Sequence, residues 1–254
     1  MILKNVEYKN IPNKSETVYF FKCCRDYLFP NYFNCIRDVD ALLERSKELF
    51  IEVVSNDENK KNIFFDKLLK TKKDLIEDIK YTYDCDPAAH SYEEVLITYP
   101  GMNAIITYRI AHILYELDEK ISARIIAEYA HSITGIDINP GASIGVPFFI
   151  DHGTGIVIGE TCVIGHHVRI YQGVTLGARS LVDGHNLQGL KRHPTVGNNV
   201  IIYANASIIG GDTIVGDNVT VGGNVFINKS IPSNVTVLNK EPELILKENK
   251  SNNK

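Results

Sequence analysis

The sequence predicts an α+β protein, in which an all-helical N-terminal domain is followed by a left-handed parallel β-helix of hexapeptide repeats. In the second half an aliphatic residue recurs every six positions, whereas a helix repeats about every 3.6 residues and a strand about every two. In the first half Tyr, Phe and Leu are interleaved with charged residues, and Gly101 is the single glycine from residue 15 to residue 130. We expect a helical domain over 1–135, a β-helix over 136–238 with a loop at 177–195, and a polar tail over 239–254.

The six-residue rhythm marks the positions that should fill the interior of a triangular prism. Aliphatic residues occupy these positions in four runs: Ile138, Ile144, Ile150 and Ile156; Ile158, Ile164, Ile170 and Leu176; Val196, Ile202 and Ile208; and Val215, Val221 and Ile227. Glycine, asparagine and aspartate between them suit tight corners because they tolerate positive φ. A coil takes about three hexads, so residues roughly 18 apart should stack on adjacent coils.

Composition and apolar periodicity predict the main helices of the first half. They are expected at 39–53, 62–80, 103–117 and 122–131. The polar segment 55–61 is predicted to be a connection. Pro100 and Gly101 break the chain before the third of these helices, whose apolar face should pack against neighbouring helices or subunits.

Charge and composition exclude several classes of function. The net charge is −4 and the basic residues are scattered, which gives no electrostatic case for a nucleic-acid partner. No apolar run approaches the ~20 residues of a membrane span and the N-terminus lacks a signal-like pattern, so we expect a cytoplasmic protein without membrane contact. The five cysteines are odd in number and lack a CxxC pair, which predicts reduced thiols and no bound metal.

Reactive residues interrupt the rhythm at two places. The first is DHGTG at 151–155, directly after an interior isoleucine. The second is the 19-residue break between Leu176 and Val196, which ends in KRHP at 191–194. A loop long enough to leave the prism can carry a side chain onto a neighbouring coil or subunit. We therefore expect the chemistry at these two places.

A histidine and a carboxylate are spaced to work together. Asp137 lies 15 residues before His152, close enough in coil position for its carboxylate to reach the imidazole. Such a carboxylate raises the basicity of a histidine and fixes its tautomer, which suits a general base. A hydroxyl needs a base of this kind to attack a thioester. Asp151 and Arg192 would then hold a charged acceptor.

Five blocks of sequence resemble the serine O-acetyltransferases of cysteine biosynthesis, which are hexapeptide-repeat acyltransferases. The blocks are DPA (86–88), YPGMNAIITYRIAH (99–112), EYAHSITGIDINPGASIG (128–145), DHGTGIVIGET (151–161) and KRHP (191–194). The resemblance runs from residue 86 to residue 232. It implies transfer of the acetyl group of acetyl-CoA to the hydroxyl of L-serine, which gives O-acetyl-L-serine and CoA.

The resemblance also implies roles for particular residues. His152 matches the family's general base, Asp137 its carboxylate partner and His193 a second active-site histidine. The residues that match the grip on the ammonium and carboxylate of serine are Asp86, Asp151 and Arg192. The small residues expected to lie beside acetyl-CoA are Ala204, Gly222 and Gly223.

Assembly and regulation are implied in the same way. Family members form trimers through the β-helix, with active sites between neighbouring prisms, and commonly pair two trimers, so we expect a homotrimer or a dimer of trimers. L-cysteine, which carries the same ammonium and carboxylate as serine, is an expected feedback inhibitor. The family's docking tail for O-acetylserine sulfhydrylase usually ends in isoleucine, whereas this chain ends in Lys254, so that complex is not predicted. Two further departures are Asn139 in place of a histidine and a longer loop before KRHP.

Plainer roles and other functions stay open at this point. His152 could be a solvated corner residue, His193 could only order its loop, Asp137 and Asp151 could bond corner amides, and Asp86 could cap a helix. The same fold could acetylate another hydroxyl, of a sugar, homoserine or an antibiotic. A zinc-dependent carbonic anhydrase would need three converging histidines, and the hexads contain no clear trio. A noncatalytic scaffold is the third alternative.

Overall fold

The computed structural model describes residues 11–180, 182, 184–241, 243 and 245–247. The first half is helical. Its helices are α1 (Lys14–Leu28), α2 (Val39–Leu49), which continues into a π-helical turn (Phe50–Val54), α3 (Glu58–Cys85), α4 (Tyr92–Thr98), α5 (Pro100–Glu116) and α6 (Lys120–Thr134). None of the helices in the described part of the chain is both long and apolar enough to cross a membrane.

Helix caps explain where the helices differ from the sequence-based prediction. The side chains of Asn13 and Ser91 accept backbone N–H bonds at the starts of α1 and α4, two helices that were not among those predicted. Asp57 accepts the N–H groups of Asn59 and Lys60, so α3 begins inside the segment 55–61 that was predicted to be a connection. The polar composition of that segment therefore reflects a cap and an exposed first turn.

The second half is a parallel β-helix with three faces. Its strands are β1 (Asp137–Ile138), β2 (Ser143–Ile144), β3 (Phe148–Ile150), β4 (Val157–Ile158), β5 (Val163–Ile164), β6 (Val168–Ile170), β7 (Thr175–Gly177), β8 (Thr195–Val196), β9 (Ile201–Ile202), β10 (Ser207–Ile209), β11 (Ile214–Val215), β12 (Thr220–Val221), β13 (Phe226–Ile227) and β14 (Thr236–Val237). Face A contains β1, β4, β7, β10 and β13, face B contains β2, β5, β8 and β11, and face C contains β3, β6, β9, β12 and β14. The predicted fold class, a helical domain followed by a left-handed β-helix, is confirmed.

The interior ladder follows the predicted aliphatic rhythm. On face A, Ile138 pairs in register with Ile158, and the ladder continues through Leu176, Ile208 and Ile227. All of these side chains are buried. Because Ile138 pairs with Ile158 whereas Ile158 pairs with Leu176, the first coil is two residues longer than the second. The extra length falls in the corner at 151–155, between faces C and A.

A buried ion pair joins the helices to the β-helix. Arg109 on α5 donates from Nε and Nη2 to the two carboxylate oxygens of Asp78 on α3, at 2.6 and 2.9 Å. The same carboxylate accepts the N–H of Phe148 at 2.8 Å, and Arg109 also donates to the carbonyl of Gly145 at 3.0 Å. The Asp78 side chain is fully buried. Two helices and the segment between β2 and β3 are thereby held in one arrangement.

Candidate active site

His152 sits in the lengthened corner between β3 and β4, where the backbone is left-handed. Its φ is 57°, and its side chain is 71% exposed. The imidazole Nδ1 lies 3.7 Å from a carboxylate oxygen of Asp151. The next residue, Gly153, has a φ of 94°, and a Cβ there would meet the Ile136 side chain at 2.4 Å. The corner therefore turns the imidazole outwards, where it can meet a substrate.

Two carboxylates face each other beside this imidazole. Asp86, at the C-terminal end of α3, accepts the hydroxyl proton of Tyr99 at 2.6 Å and the N–H of Ala88 at 2.8 Å. Desolvation raises the pKa of the Asp151 carboxyl and the negative charge of Asp86 adds to this, while His152 opposes it. A pair of like charges in a half-buried place favours a bound cation, and an ammonium group fits that description.

Asp137 lies on β1, with its carboxylate close to α6. Oxygen or nitrogen atoms of Asp137, Glu128 and His131 all lie within 4.8 Å of one another, a spacing that could suit a metal ion. Glu128 already forms an ion pair with Arg124. Although burial acts in the opposite direction, His131 and Arg124 together lower the pKa of Glu128. Among the hydrogen bonds and ion pairs of the described residues, none joins Asp137 to His152.

The KRHP segment is fixed on a different corner, the one after β4. The backbone N–H groups of Arg192 and His193 donate to the Thr161 hydroxyl at 2.9 and 3.0 Å. The Thr161 N–H donates to Nδ1 of His193 at 3.1 Å, so the neutral ring carries its proton on Nε2. The ring covers Gly159, where a Cβ would come within 2.0 Å of it. Glycine at 159 is therefore needed for this placement.

The Arg192 side chain already has partners within this chain. Its guanidinium forms an ion pair with Glu160, which also accepts the hydroxyl proton of Tyr115 at 2.9 Å. The same guanidinium donates to the carbonyls of Leu187 and Leu190 at 3.3 and 3.4 Å. Leu187 ends a short 3-10 helix, Gly184–Leu187, in the long loop. The loop residues 181 and 183 lie outside the described part of the chain, as does Lys254.

The predicted site residues therefore fall on two edges of the prism. Asp151 and His152 lie on the edge between faces C and A, with Asp86 beside them. Arg192 and His193 are held at the corner between β4 and β5, on the edge between faces A and B. Within one chain these two groups do not share an edge.

The predicted cofactor-binding residues follow the first edge. Residues Ile150, Ile170, Ile202 and Val221 pair in register on face C, so the residues after them stack along the corner. Those following residues are Asp151, Tyr171, Tyr203 and Gly222, with Ala204 and Gly223 one position further on. A Cβ at Gly223 would lie 3.3 Å from the Ala204 carbonyl. The three small residues thus share an edge with His152.

Asn139 stands where the resembled family has a histidine, and it lies in the corner between β1 and β2. Its side-chain oxygen accepts the N–H of Gly141 at 2.9 Å. This is a local turn bond of the kind that asparagine makes in corners. The substitution therefore has a structural role in this chain.

Similar proteins were found both among curated sequences and among solved structures. A scan against models of known protein families gives no match. Among curated proteins, the plasmid serine acetyltransferase of Synechococcus elongatus is 53% identical over 150 residues, and that of Bacillus subtilis is 49% identical over 136 residues. These stretches cover 58% and 54% of this chain and 47% and 60% of the relatives. The chain therefore spans about half the length of the curated relatives it matches.

Solved structures match more of the chain. Serine acetyltransferase isoform 3 of Entamoeba histolytica, solved with cysteine, is 37% identical with a TM-score of 0.80, and the match covers 90% of this chain and 84% of that one. This chain belongs to the serine acetyltransferase family. The resemblance found in the five sequence blocks is confirmed.

Two other serine acetyltransferase structures were solved with ligands. The Neisseria gonorrhoeae protein, in complex with serine, is 30% identical with a TM-score of 0.64, over 91% of this chain and 85% of that one. The Brucella abortus protein, in complex with coenzyme A, is 29% identical with a TM-score of 0.66, over 89% and 80%.

Several residues near the candidate site were missed from the sequence. Tyr171 and Tyr203 stack on each other with ring centroids 5.1 Å apart, on the edge that carries Asp151. Their position after interior isoleucines was a usable signal, because it is the position of Asp151 one or two coils earlier. Glu160 and Thr161 bind Arg192 and His193 of the KRHP segment. The six-residue spacing could not reveal these contacts, because a loop of 19 residues separates Leu176 from Val196.

His193 is expected to stay neutral well below neutral pH. Burial lowers the pKa of His193 to about 4, and the charges of Arg192 and Lys191 add to this. In the unfolded chain the pKa is about 6.5. The unfolded chain therefore binds the proton first, and stability should fall as the pH is lowered from about 6.5 towards 4. An NMR titration should place the midpoint for this ring near 4; a midpoint at or above the unfolded value would contradict the placement under Thr161.

Proposed function

We propose that this protein transfers the acetyl group of acetyl-CoA to the hydroxyl of L-serine and releases O-acetyl-L-serine and CoA. The observation that carries the proposal is the corner at His152. An exposed imidazole stands beside the paired carboxylates of Asp86 and Asp151, on the edge that also holds Ala204 and Gly222. Family membership supports it, as do the neighbours solved with serine and with coenzyme A.

In the proposed reaction His152 acts as the general base. Its imidazole takes the proton of the serine hydroxyl as the oxygen attacks the thioester carbonyl. When the tetrahedral intermediate collapses, the C–S bond breaks and the imidazolium returns the proton to the CoA thiolate. Asp86 and Asp151 hold the ammonium group of serine, so that its hydroxyl lies next to the ring.

Asp137 is the carboxylate that we propose pairs with His152 in the substrate complex. Its neighbour Ile136 lies against Gly153 in the same corner, and the imidazole of His152 is 71% exposed. A carboxylate partner would stabilise the imidazolium that forms during the reaction. His193, buried and neutral, is proposed to donate from Nε2 to the substrate.

The first experiment is an acceptor panel. CoA release from acetyl-CoA is followed with L-serine, L-homoserine, a galactoside and no acceptor. We expect serine-dependent release. CoA release only with a different alcohol would be consistent with His152 as the base and would show that L-serine is not the acceptor. No release with any acceptor would overturn the proposal.

We further propose a homotrimer, or two paired trimers, with each active site between two chains. The separation of His152 and His193 onto two edges supports this. Complementation tests it, because His152→Ala and His193→Ala are each expected to be inactive. When the two proteins are dissociated and reassembled together, some sites should combine one intact residue from each chain and regain activity. Failure to regain activity would argue for sites within single chains.

L-cysteine is expected to compete with L-serine. It presents the same ammonium and carboxylate groups, and the Entamoeba histolytica neighbour was solved with cysteine. Steady-state rates at several serine concentrations should show competitive inhibition at millimolar cysteine, with L-alanine as a weaker reference that lacks the thiol. Inhibition that serine does not relieve would place cysteine elsewhere.

No metal requirement is expected. The one cluster of metal-ligand spacing among the described residues already holds the cation of Arg124 against Glu128. Dialysis against a chelator should leave the rate of CoA release unchanged. A rate that falls and is restored by a divalent cation would contradict this expectation.

A further inference from the structure

The hydroxyl of Tyr99 holds one of the two carboxylates of the candidate site. Tyr99 lies at the junction of α4 and α5, as the C-cap of one and the N-cap of the other, and its hydroxyl donates to Oδ2 of Asp86 at 2.6 Å. The other oxygen, Oδ1, accepts the N–H of Ala88 at 2.8 Å. Each oxygen therefore has one partner among the described residues, which fixes the plane of the carboxylate and leaves its remaining lone pairs for a ligand.

The backbone next to Tyr99 is packed against the strand that leads into Asp151. A Cβ at Gly101, in the first turn of α5, would lie 2.3 Å from the Ile150 carbonyl oxygen, so the two backbones are in close contact. Ile150 is the last residue of β3 and directly precedes Asp151. Tyr99 thus reaches from a helix start packed on β3 to the end of α3, and its hydrogen bond sets the position of Asp86 relative to Asp151.

The Tyr99 hydroxyl keeps its proton when the nearby carboxylates are ionised. Burial raises the pKa of this hydroxyl, the hydrogen bond to Asp86 adds to the effect, and the charges of Asp86, Glu94 and Asp151 act in the same direction. A hydroxyl that stays protonated is a permanent donor to Asp86. Such a donor also makes it easier for two like charges to stand side by side.

We propose that Tyr99 is a positioning residue for the amino-acid acceptor, because it holds the Asp86 carboxylate in the orientation that receives the ammonium group together with Asp151. The inference rests on the proposed function, since it concerns the same acceptor pocket. In a purely structural role the hydroxyl would only tie α3 to the start of α5. The end of α3 has a second tie, because Nη2 of Arg169 on β6 donates to the Cys85 thiol at 3.0 Å. Loss of the hydroxyl should therefore leave the helix in place.

A double-mutant cycle tests whether Tyr99 acts through Asp86. The values of kcat and KM for L-serine are measured for the wild type, Tyr99→Phe, Asp86→Ala and the double variant. Because kcat/KM is obtained below saturation, weak serine binding in Asp86→Ala does not prevent the comparison. Tyr108→Phe is the matched control, since its hydroxyl lies on the same helix and also donates at 2.6 Å, to the carbonyl of Ala142.

In Tyr99→Phe we expect KM for L-serine to rise roughly tenfold, the low end of what a hydrogen bond to a charged group contributes. The value of kcat should stay within about twofold, because the ammonium group is held equally in the ground state and the transition state. In the Asp86→Ala background the same substitution should change kcat/KM by less than about twofold, since the carboxylate that it orients is gone. Tyr108→Phe should leave KM unchanged.

Three results would overturn the assignment. A loss of kcat/KM that persists in the Asp86→Ala background would mean that Tyr99 acts by another route. An unchanged KM in Tyr99→Phe would mean that Asp86 needs no such partner. An equal rise of KM in Tyr108→Phe would trace the effect to the packing of α5.

Binding without turnover separates this assignment from the acetyl transfer. Calorimetry gives the dissociation constant of L-serine for the wild type, Tyr99→Phe and Tyr108→Phe in the absence of acetyl-CoA, and it decides the matter if Asp86→Ala turns over too slowly to measure. If the wild type binds L-serine but releases no CoA, the acetyl transfer is refuted, and the role of Tyr99 stands only if the affinity falls in Tyr99→Phe and not in Tyr108→Phe. A wild type that binds no L-serine refutes both.

Discussion

Replacing His152 by alanine is expected to lower the rate of serine acetylation by at least about a hundredfold, the lower end of what a general base contributes. The base acts chiefly in the transition state, so binding of CoA should stay near its wild-type value. The side chain is 71% exposed, and its removal leaves no cavity in the core. Steady-state turnover and calorimetric binding of CoA, measured on the same preparation, check both parts of this expectation.

His167 provides a matched control for that substitution. It also occupies a corner with a left-handed backbone, at a φ of 56° compared with 57° for His152, so alanine meets the same backbone strain at both positions. His167→Ala should keep most of the activity. A second pair, His152→Asn and His167→Asn, reduces that strain further, because asparagine tolerates positive φ. Wild-type turnover in either His152 variant would remove this residue from the mechanism.

Replacing Asp78 by alanine is expected to lower the free energy of unfolding by about 3–5 kcal/mol, the loss usually seen when one partner of a buried ion pair is removed. Arg109 would stay buried with its charge uncompensated, and the N–H of Phe148 would lose its acceptor. At this chain length each kcal/mol corresponds to roughly 2–4 °C in the melting temperature. Thermal denaturation should therefore show a fall of about 10 °C.

Glu77, one residue earlier on the same helix, is the control for Asp78. Its ion pair with Lys80 is exposed, with 54% and 51% of the side chains accessible. Exposed pairs of this kind contribute about 0–1 kcal/mol. Glu77→Ala should thus shift the melting temperature by no more than a few degrees. Equal shifts for the two variants would mean that the Asp78 contact does not hold the helices to the β-helix.

The scaffold could be predicted because its signal is local and repeated. Each interior aliphatic residue stacks on another in the next coil, so a six-residue period defines the faces and their register. The helix starts were missed for a different reason. Asn13, Asp57 and Ser91 act as caps through side-chain bonds to the backbone, and their polar surroundings resemble loops in sequence.

The sequence predicted which residues belong to the candidate site but not how they are arranged on the β-helix. Spacing brought Asp151 and His152 to one corner, but it did not reveal that Arg192 and His193 lie on another edge, because the long loop between Leu176 and Val196 hides their pairing with Glu160 and Thr161.

The lengthened corner at 151–155 has a consequence for how such a protein can change. The two added residues are accommodated at the corner, since Ile158 still lies directly over Ile138 and under Leu176. The longer loop before Val196 is absorbed in the same way, with Val196 in register with Ile164. An insertion at a corner of this scaffold therefore leaves the strand register and the packing of the interior aliphatic residues unchanged. A new functional loop can be added to one coil while the other coils keep their packing.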